Sequence, residues 1–349
     1  MVFPCLTWPG ASEEAMTENP LITIVTPSFN QAAFLEETIR SVLEQDYPEY
    51  EVIVVNDCSE DDTYNVLGGY LLKYPHLKVS NISKDPKFTH NKKFAQFIGI
   101  KAAKNEILLF TDADCRPDSD KWLGMMASHF ESKTDFVLGY GGYLSKKGLL
   151  NRYIRYDSMV IALQYLGMAI RGIPYMGVGR NLAYRRSLFF ERKGFSNHSK
   201  LVSGDDDLFV NSNASKSNVA VEFRKESHTR SVPASDFDEF FRQKKRHLTT
   251  ANHYKLRDKI VLIAEPVTRV LFYAAFIVLL VNLFLWPFVL AAFGIRMIIQ
   301  FVVFALDQKK LNEHGLLFFL QIFDILSPFI NTVIYIGSRL QGTGNIRWK

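Results

Sequence analysis

LITIVTPSFNQAAFLEETIRSVLEQDYPEYEVIVVND, residues 21–57, reads as a strand, a helix and a second strand. LITIVTPSF and EVIVVND are short runs rich in β-branched residues, and between them FLEETIRSVLEQ places Phe34, Leu35, Ile39, Val42 and Leu43 at helical spacing. A further helical stretch near Asp62 to Lys73, another across Lys93 to Ala103, and the strand EILLFTD continue the alternation. That order predicts an α/β fold with a mainly parallel sheet covered by helices on both sides. Ligands of such sheets sit beyond the carboxyl ends of the strands. VTPSFN, VVNDCS and FTDAD each set polar residues there, so three strand ends point at one crevice.

FTDADCRPD, residues 110–118, crowds carboxylates at one of those ends. Asp112 and Asp114, two residues apart in an extended segment, can direct hard oxygen ligands at one Mg²⁺ or Mn²⁺ that also carries substrate phosphates. The spacing alone fits an acidic surface turn equally well. An EF-hand is a poor alternative, because Arg116 and Pro117 fall where an oxygen ligand and the loop glycine belong and Leu123 stands at the terminal Glu position. Neither GxGxxG nor GxxxxGK[ST] follows the first strand, so a nucleotide would be held without those glycine loops.

With 349 residues and 48% apolar composition, the chain has enough material for a substantial core. Its net charge of +5 is unevenly placed: Lys and Arg crowd residues 242–259 and the final stretch, beside apolar segments. That points to a membrane surface and not to nucleic acid. Cys5, Cys58 and Cys115 show no CxxC spacing, which fits a reducing compartment and argues against a disulfide framework or a zinc site. No charged start followed by an apolar core opens the chain, so no signal peptide is expected. Residues 270–295, VLFYAAFIVLLVNLFLWPFVLAAFGI, carry no charge and exceed the roughly 20 residues of a membrane span. Apolar runs after Arg296 and from Leu316 to Ile336 follow, giving two or three transmembrane helices, with three favoured. Asn282, Trp286 and Pro287 mark either a tight hairpin or an interfacial break.

Five ordered motifs then resemble those of the family 2 glycosyltransferases, membrane-attached bacterial members in particular. PSFN and VVNDCSEDDT are similar to the family's opening and nucleotide motifs, FTDADCRPDSDKW to its DxD segment, SGDDDLF to its acidic catalytic motif, and RQKKRH to its Q/RxxRW motif. The resemblance implies a GT-A (nucleotide-diphospho-sugar transferase), Rossmann-like domain followed by C-terminal transmembrane helices. It implies donor-nucleotide contacts at Pro27, Phe29, Asn30, Asp57, Lys92, Asp112, Gln243 and Arg246, and metal ligation by Asp112 and Asp114. Asn56 stands where the family often has a first Asp, Phe97 and Asn91 replace residues around the matching lysine, and His247 replaces the Trp.

Asp205, Asp206 and Asp207 align with the acidic motif in two registers; Asp206 is taken as the base, with Asp205 beside it. Adjacent carboxylates in a sheltered pocket cannot all ionise cheaply, which suits one of them to accept a proton. Alone, the triplet would read as a solvated helix N-terminus. GIPYMGVGRNLAYRRSLF, with glycines at 172, 177 and 179, offers Arg180 and Asn181, together with Asp207, as acceptor contacts.

The expected organisation is an extension at 1–19, a catalytic domain at 20–235 divided at residue 118 into nucleotide-binding and acceptor halves, an amphipathic interface segment at 236–265, a membrane region at 266–340 and a tail at 341–349. The function expected is an inverting, metal-dependent transfer of sugar from a nucleotide-sugar donor to a lipid-linked or membrane-bound glycan acceptor, in a multi-pass cell-membrane protein whose catalytic domain faces the cytoplasm. A sugar-1-phosphate nucleotidyltransferase and a non-catalytic membrane scaffold are the alternatives. The first would want a glycine-rich basic loop near its first strand, and the second gains nothing from charged motifs at strand ends.

Overall fold

β1 (Ile22–Ser28), an interior strand of the main sheet, is buried at every residue and paired in parallel with β2 (Tyr50–Asp57) on one side and β4 (Ile107–Phe110) on the other. The computed structural model describes residues 20–84, 91–199, 201 and 203–340. The extension and tail expected from the sequence, with Cys5, lie outside them. The chain runs through α1 (Ala32–Leu43), α2 (Thr63–Leu71), β3 (Leu77–Ile82) and α3 (Lys92–Ala102) before β4. It continues with β5 (Cys115–Pro117), α4 (Trp122–Ala127), β6 (Phe136–Gly139), β7 (Gly141–Tyr143), α5 (Leu149–Ile170), β8 (Leu182–Arg185), α6 (Arg186–Glu191), α7 (Asp207–Asn213), β9 (Val219–Glu222) and β10 (Thr229–Ser231).

Seven strands form the main sheet in the order β3-β2-β1-β4-β8-β6-β9. β8 alone runs antiparallel to its neighbours β4 and β6, and every other pairing in this sheet is parallel. Side chains alternate between two apolar layers: Val25, Ile53, Val55, Leu108 and Phe110 face one, Ile24, Val52, Val54, Ile107 and Leu109 the other. Burial on both faces explains why these strands read as continuous apolar runs and not as alternating ones. α3 lies close on the first layer because Gly99 has no Cβ; one there would sit 2.5 Å from Val25 Cγ1. A small second sheet, β5-β10-β7, closes the crevice side. It holds the chain just after the DxD turn, since β10 pairs antiparallel with β5.

Beyond the sheets, α8 (Phe237–Leu248) is capped by Asp236, whose carboxylate accepts the Glu239 N–H at 2.8 Å, and it carries acids in its first turn and bases in its last. Three further helices follow: α9 (Leu256–Val281), α10 (Trp286–Lys310) and α11 (Leu320–Leu340). All three are long and apolar enough to cross a membrane by length and composition.

Candidate active site

Each of the three strand ends delivers its residues to one place. Past β1, Asn30 adopts the left-handed region at φ 50°, which turns the chain so that its N–H donates to Ser59 Oγ at 2.9 Å and its Oδ1 accepts the Glu60 N–H at 2.8 Å. The loop carrying Phe29 and Asn30 is thereby tied to the loop after β2. Pro27 pairs with Val55, and Asp57 is the buried last residue of β2. At the end of β4 the chain turns, the Cys115 N–H donates to Asp112 O at 2.9 Å, and the carboxylates of Asp112 and Asp114 come within 4.8 Å of each other and of Cys115 Sγ.

Lys92, at the start of α3, joins the two acidic motifs: its Nζ lies 2.7 Å from Asp112 Oδ1 and 3.1 Å from Asp205 Oδ2. Burial alone would lower the Lys92 pKa, but the charges of Asp112, Asp205 and Asp206 outweigh it and raise the value, so the ammonium stays charged. Burial would likewise raise the Asp112 pKa, yet Lys92, with Arg180 and Arg246 further off, lowers it. Asp112 is therefore a carboxylate paired with Lys92, with the charges of Arg180 and Arg246 within electrostatic reach. Arg180 lies over the Tyr143 ring at 4.4 Å, and the Tyr143 hydroxyl reaches Gln243 Oε1 at 3.5 Å. Gln243 and Arg246, one turn apart on α8, thus stand at the rim of the crevice, and His247 beside them is exposed.

Among the acidic triplet only Asp206 is partly exposed; Asp205 and Asp207 are buried. Two backbone N–H groups hold the Asp206 carboxylate, from Gly179 at 2.6 Å and from Asp207 at 2.8 Å. Gly179 eases that approach, because a Cβ there would crowd Lys92 Nζ at 3.1 Å and Asp206 Oδ2 at 3.2 Å. Neither this backbone cradle nor the ring beneath Arg180 was legible beforehand, although the glycine cluster pointed to a close approach.

Two expected acceptor contacts fall elsewhere. Asn181 is fully buried, with its Oδ1 accepting from Trp122 Nε1 at 2.9 Å and its Nδ2 donating to Tyr140 O and Ser227 O at 2.9 and 2.8 Å. Its polar atoms are used in holding the strands together, which leaves none for an acceptor. Asp207 turns inward and accepts from the hydroxyls of Thr250 and Tyr254, the latter at 2.7 Å. Burial, reinforced by the Asp206 charge, pushes its pKa up to about 7. For a carboxyl raised in the folded state, folding favours the protonated form. Stability is then lost as pH climbs from the ordinary Asp value of about 4 toward 7. Asp207→Asn is accordingly expected to gain stability relative to the parent on going from pH about 4.5 to about 8 in urea unfolding. A constant difference between the two pH values would show that Asp207 stays ionised.

Asp112 and Asp114 fit a divalent cation: both are partly exposed carboxylates, the hard-oxygen chemistry that suits Mg²⁺ or Mn²⁺. Cys115 does not join them as a thiolate. Burial, and then the charges of Asp114 and Asp112, push its thiol well above the ordinary value, and its Sγ is in contact with Ser231 Oγ at 2.6 Å.

Residues 23–191 match the family model described as glycosyl transferase family 2. A putative teichuronic acid biosynthesis glycosyltransferase, TuaG, of Bacillus subtilis is 31% identical over 105 residues, covering 30% of this chain and 37% of the relative. A probable glycosyltransferase of the same organism, YdaM, is 27% identical over 211 residues, 56% of this chain and 47% of its own length. The chain thus spans less than half the length of either relative. Among solved structures, the mannosyltransferase PcManGT from Pyrobaculum calidifontis, in complex with GDP-Man and Mn²⁺, superposes with a TM-score of 0.54 at 17% identity, covering 90% of this chain and 88% of that one. That likeness is one of fold, and the fold is of the GT-A type.

Proposed function

With a family 2 glycosyltransferase domain occupying residues 23–191, the chain belongs to that family, and we propose that it transfers a sugar from a nucleotide-sugar donor to a lipid-linked or membrane-bound glycan acceptor, inverting the anomeric carbon. The observation that carries this reading is the convergence of Lys92, Arg180 and Arg246 on Asp112, next to an acidic triplet with one open carboxylate. Three cations at the strand ends suit a nucleoside diphosphate better than any neutral ligand. Pro27, Phe29, Asn30 and Asp57 would hold the nucleoside, and Gln243 and Arg246 would close over the diphosphate from α8.

In the transfer itself, the Asp206 carboxylate takes the proton of the acceptor hydroxyl as that oxygen bonds to the anomeric carbon on the face opposite the departing diphosphate. The C1–O bond to the donor breaks, and the charge gathering on the leaving oxygen faces Lys92 and Arg180. Asp112 and Asp114 would hold Mg²⁺ or Mn²⁺, which when bound neutralises part of the diphosphate charge. In this reading 20–118 binds the donor and 119–235 the acceptor, 236–265 lies at the interface, and 266–340 attaches the enzyme to the membrane.

A cavity of about 510 Å³ lined by Tyr143, Ser145, Arg155, Arg230, Glu313 and His314 opens beside Arg180's stacking partner and reaches the loop between α10 and α11. Its position favours an acceptor arriving from the membrane side. Lys255, Lys259, Lys309 and Lys310 at the feet of the apolar helices support a catalytic domain on the cytoplasmic side, where Lys and Arg beside membrane segments are retained.

Asp114→Ala tests the donor site: it is expected to abolish the Mn²⁺-dependent part of nucleoside diphosphate binding in calorimetry while the circular dichroism spectrum stays that of the parent. Unchanged Mn²⁺-dependent affinity would overturn the assignment.

A further inference from the structure

The groups proposed to meet the diphosphate from α8, Gln243 and Arg246, share one side of that helix, and its other two sides have different neighbours. At about 3.6 residues per turn, Phe240 and Lys244 fall together on one of them and Phe241 and Lys245 on the other. The first lies on α5. Phe240 is buried with its ring 5.8 Å from that of Tyr153, and one turn on the Lys244 ammonium meets both carboxylate oxygens of Asp157, at 2.9 and 2.6 Å. The second lies toward α11, the helix that follows the hairpin of α9 and α10: a Cβ on Gly337 would be 3.4 Å from Lys245 Cε, and the Tyr335 hydroxyl donates to Asn252 Oδ1 at 3.4 Å. The third side is left to the crevice, where Gln243 meets Tyr143 and the charge of Arg246 acts on Asp112.

Both attachments to α5 step one turn on each helix, from Tyr153 to Asp157 and from Phe240 to Lys244. They differ in what they fix. Two rings in edge contact can slide past one another at little cost, because apolar contact has no direction. A carboxylate against an ammonium, with the two side chains 10% and 13% exposed, cannot part without leaving both charges poorly solvated. The pair also commits the Lys244 charge to Asp157 and leaves that of Arg246 to the crevice. α5 is itself gripped by the apolar helices: Tyr156 meets Phe304 of α10 at 5.8 Å, Phe323 of α11 lies 5.3 Å from both Tyr153 and Tyr156, and Arg155 pairs with Glu313. Asp157 thus projects from a helix that has little freedom to move.

We infer that Asp157 is a positioning residue for the donor site: by holding Lys244 it sets the roll of α8 about its axis, and with it the reach of Gln243 and Arg246. Without that grip α8 keeps its ring contact with Tyr153 and its contact with α11, and it can turn. A roll of about 15° carries a side-chain tip lying about 6 Å from the helix axis by roughly 1.5 Å. A displacement of that size is enough to spoil a contact that depends on orientation. The inference rests on the donor-site reading above, in which the two side chains meet the diphosphate.

The test is calorimetric binding, to the full chain in detergent with Mn²⁺, of UDP, GDP, CDP and dTDP and of the monophosphate that matches the one the parent binds most tightly. Asp157→Asn and Lys244→Met are each expected to weaken that diphosphate about 10-fold while the monophosphate stays near its parent value. Combining the two changes is expected to do no worse than either alone, since both remove one contact. The combination strands no charge, so it carries the test if a single variant fails to fold. Lys244→Arg, which keeps the pair, is expected to bind as the parent does. Equal losses for monophosphate and diphosphate would reduce Asp157 to a general support of the fold and overturn the inference. Arg246→Ala separates the two levels. Weakened diphosphate binding there, with parent affinity in Asp157→Asn, would remove the positioning role alone. Parent affinity in Arg246→Ala, or a parent that binds none of the four diphosphates, would remove the donor-site reading on which it rests.

Discussion

Asp206→Asn is expected to lower turnover by at least about 100-fold while the affinity for nucleoside diphosphate stays near that of the parent, the signature of a lost general base. Of the three adjacent carboxylates, Asp205 is buried against Lys92 and Asp207 is bound by Thr250 and Tyr254, so Asp206 alone is open to an incoming hydroxyl. Two backbone N–H groups fix its position without neutralising it. An amide at this position accepts one of those N–H groups, turns its own NH₂ toward the other, and cannot take a proton. Steady-state rates and calorimetric donor binding, measured together, separate the outcomes. A 100-fold loss in Asp205→Asn, with Asp206→Asn near parent activity, would shift the base by one residue.

Asn181→Leu is expected to destabilise the protein by at least about 2 kcal/mol in urea unfolding, since the Trp122 indole N–H and the Ser227 carbonyl would each be left buried without a partner, at about 1–3 kcal/mol apiece, and the Tyr140 carbonyl would keep only the Thr229 N–H. The leucine is close in volume, so the loss comes from the hydrogen bonds and not from a cavity. The site leaves no slack for relaxation, because a Cβ on the facing Gly139 would already lie 2.4 Å from Asn181 Cγ. A change under about 1 kcal/mol, accompanied by a rise in the KM for acceptor, would return Asn181 to the role of an acceptor contact.

The contrast between these two residues marks where reading along the chain succeeds. The strand–helix–strand opening was legible because runs such as EVIVVND are buried on both faces, and burial on both faces leaves a continuous apolar signature. Asp112 could be placed at a strand end for the same reason. The meeting of Lys92 with Asp112 and Asp205 was not legible as a contact, since the fold joins residues far apart in sequence. Asn181 and Asp207 looked like acceptor contacts because a polar side chain looks the same in sequence whether it faces a crevice or a neighbouring strand. The antiparallel β8, inserted between β4 and β6, likewise left no periodic mark. Hydropathy found α11 but carries no record of which protein surface a helix leans on.

Glu313 lies on the loop that leaves the hairpin, and it is fully buried inside the catalytic domain between Arg155 of α5 and Arg230 of β10, with the Tyr140 hydroxyl donating to it at 2.9 Å. Arg230 also grips Asp118 at 2.8 Å, just past the DxD turn. A single acid from the region of the apolar helices thus serves as counter-ion to two interior arginines of the catalytic domain. Removing one member of such a buried set strands the remaining charges. The catalytic domain and the apolar helices are in that sense a single thermodynamic object. A gene shuffled or trimmed at residue 256 would yield a hydrophilic fragment whose interior carries unbalanced positive charge, so this boundary, obvious to hydropathy, is no seam along which the protein can be taken apart.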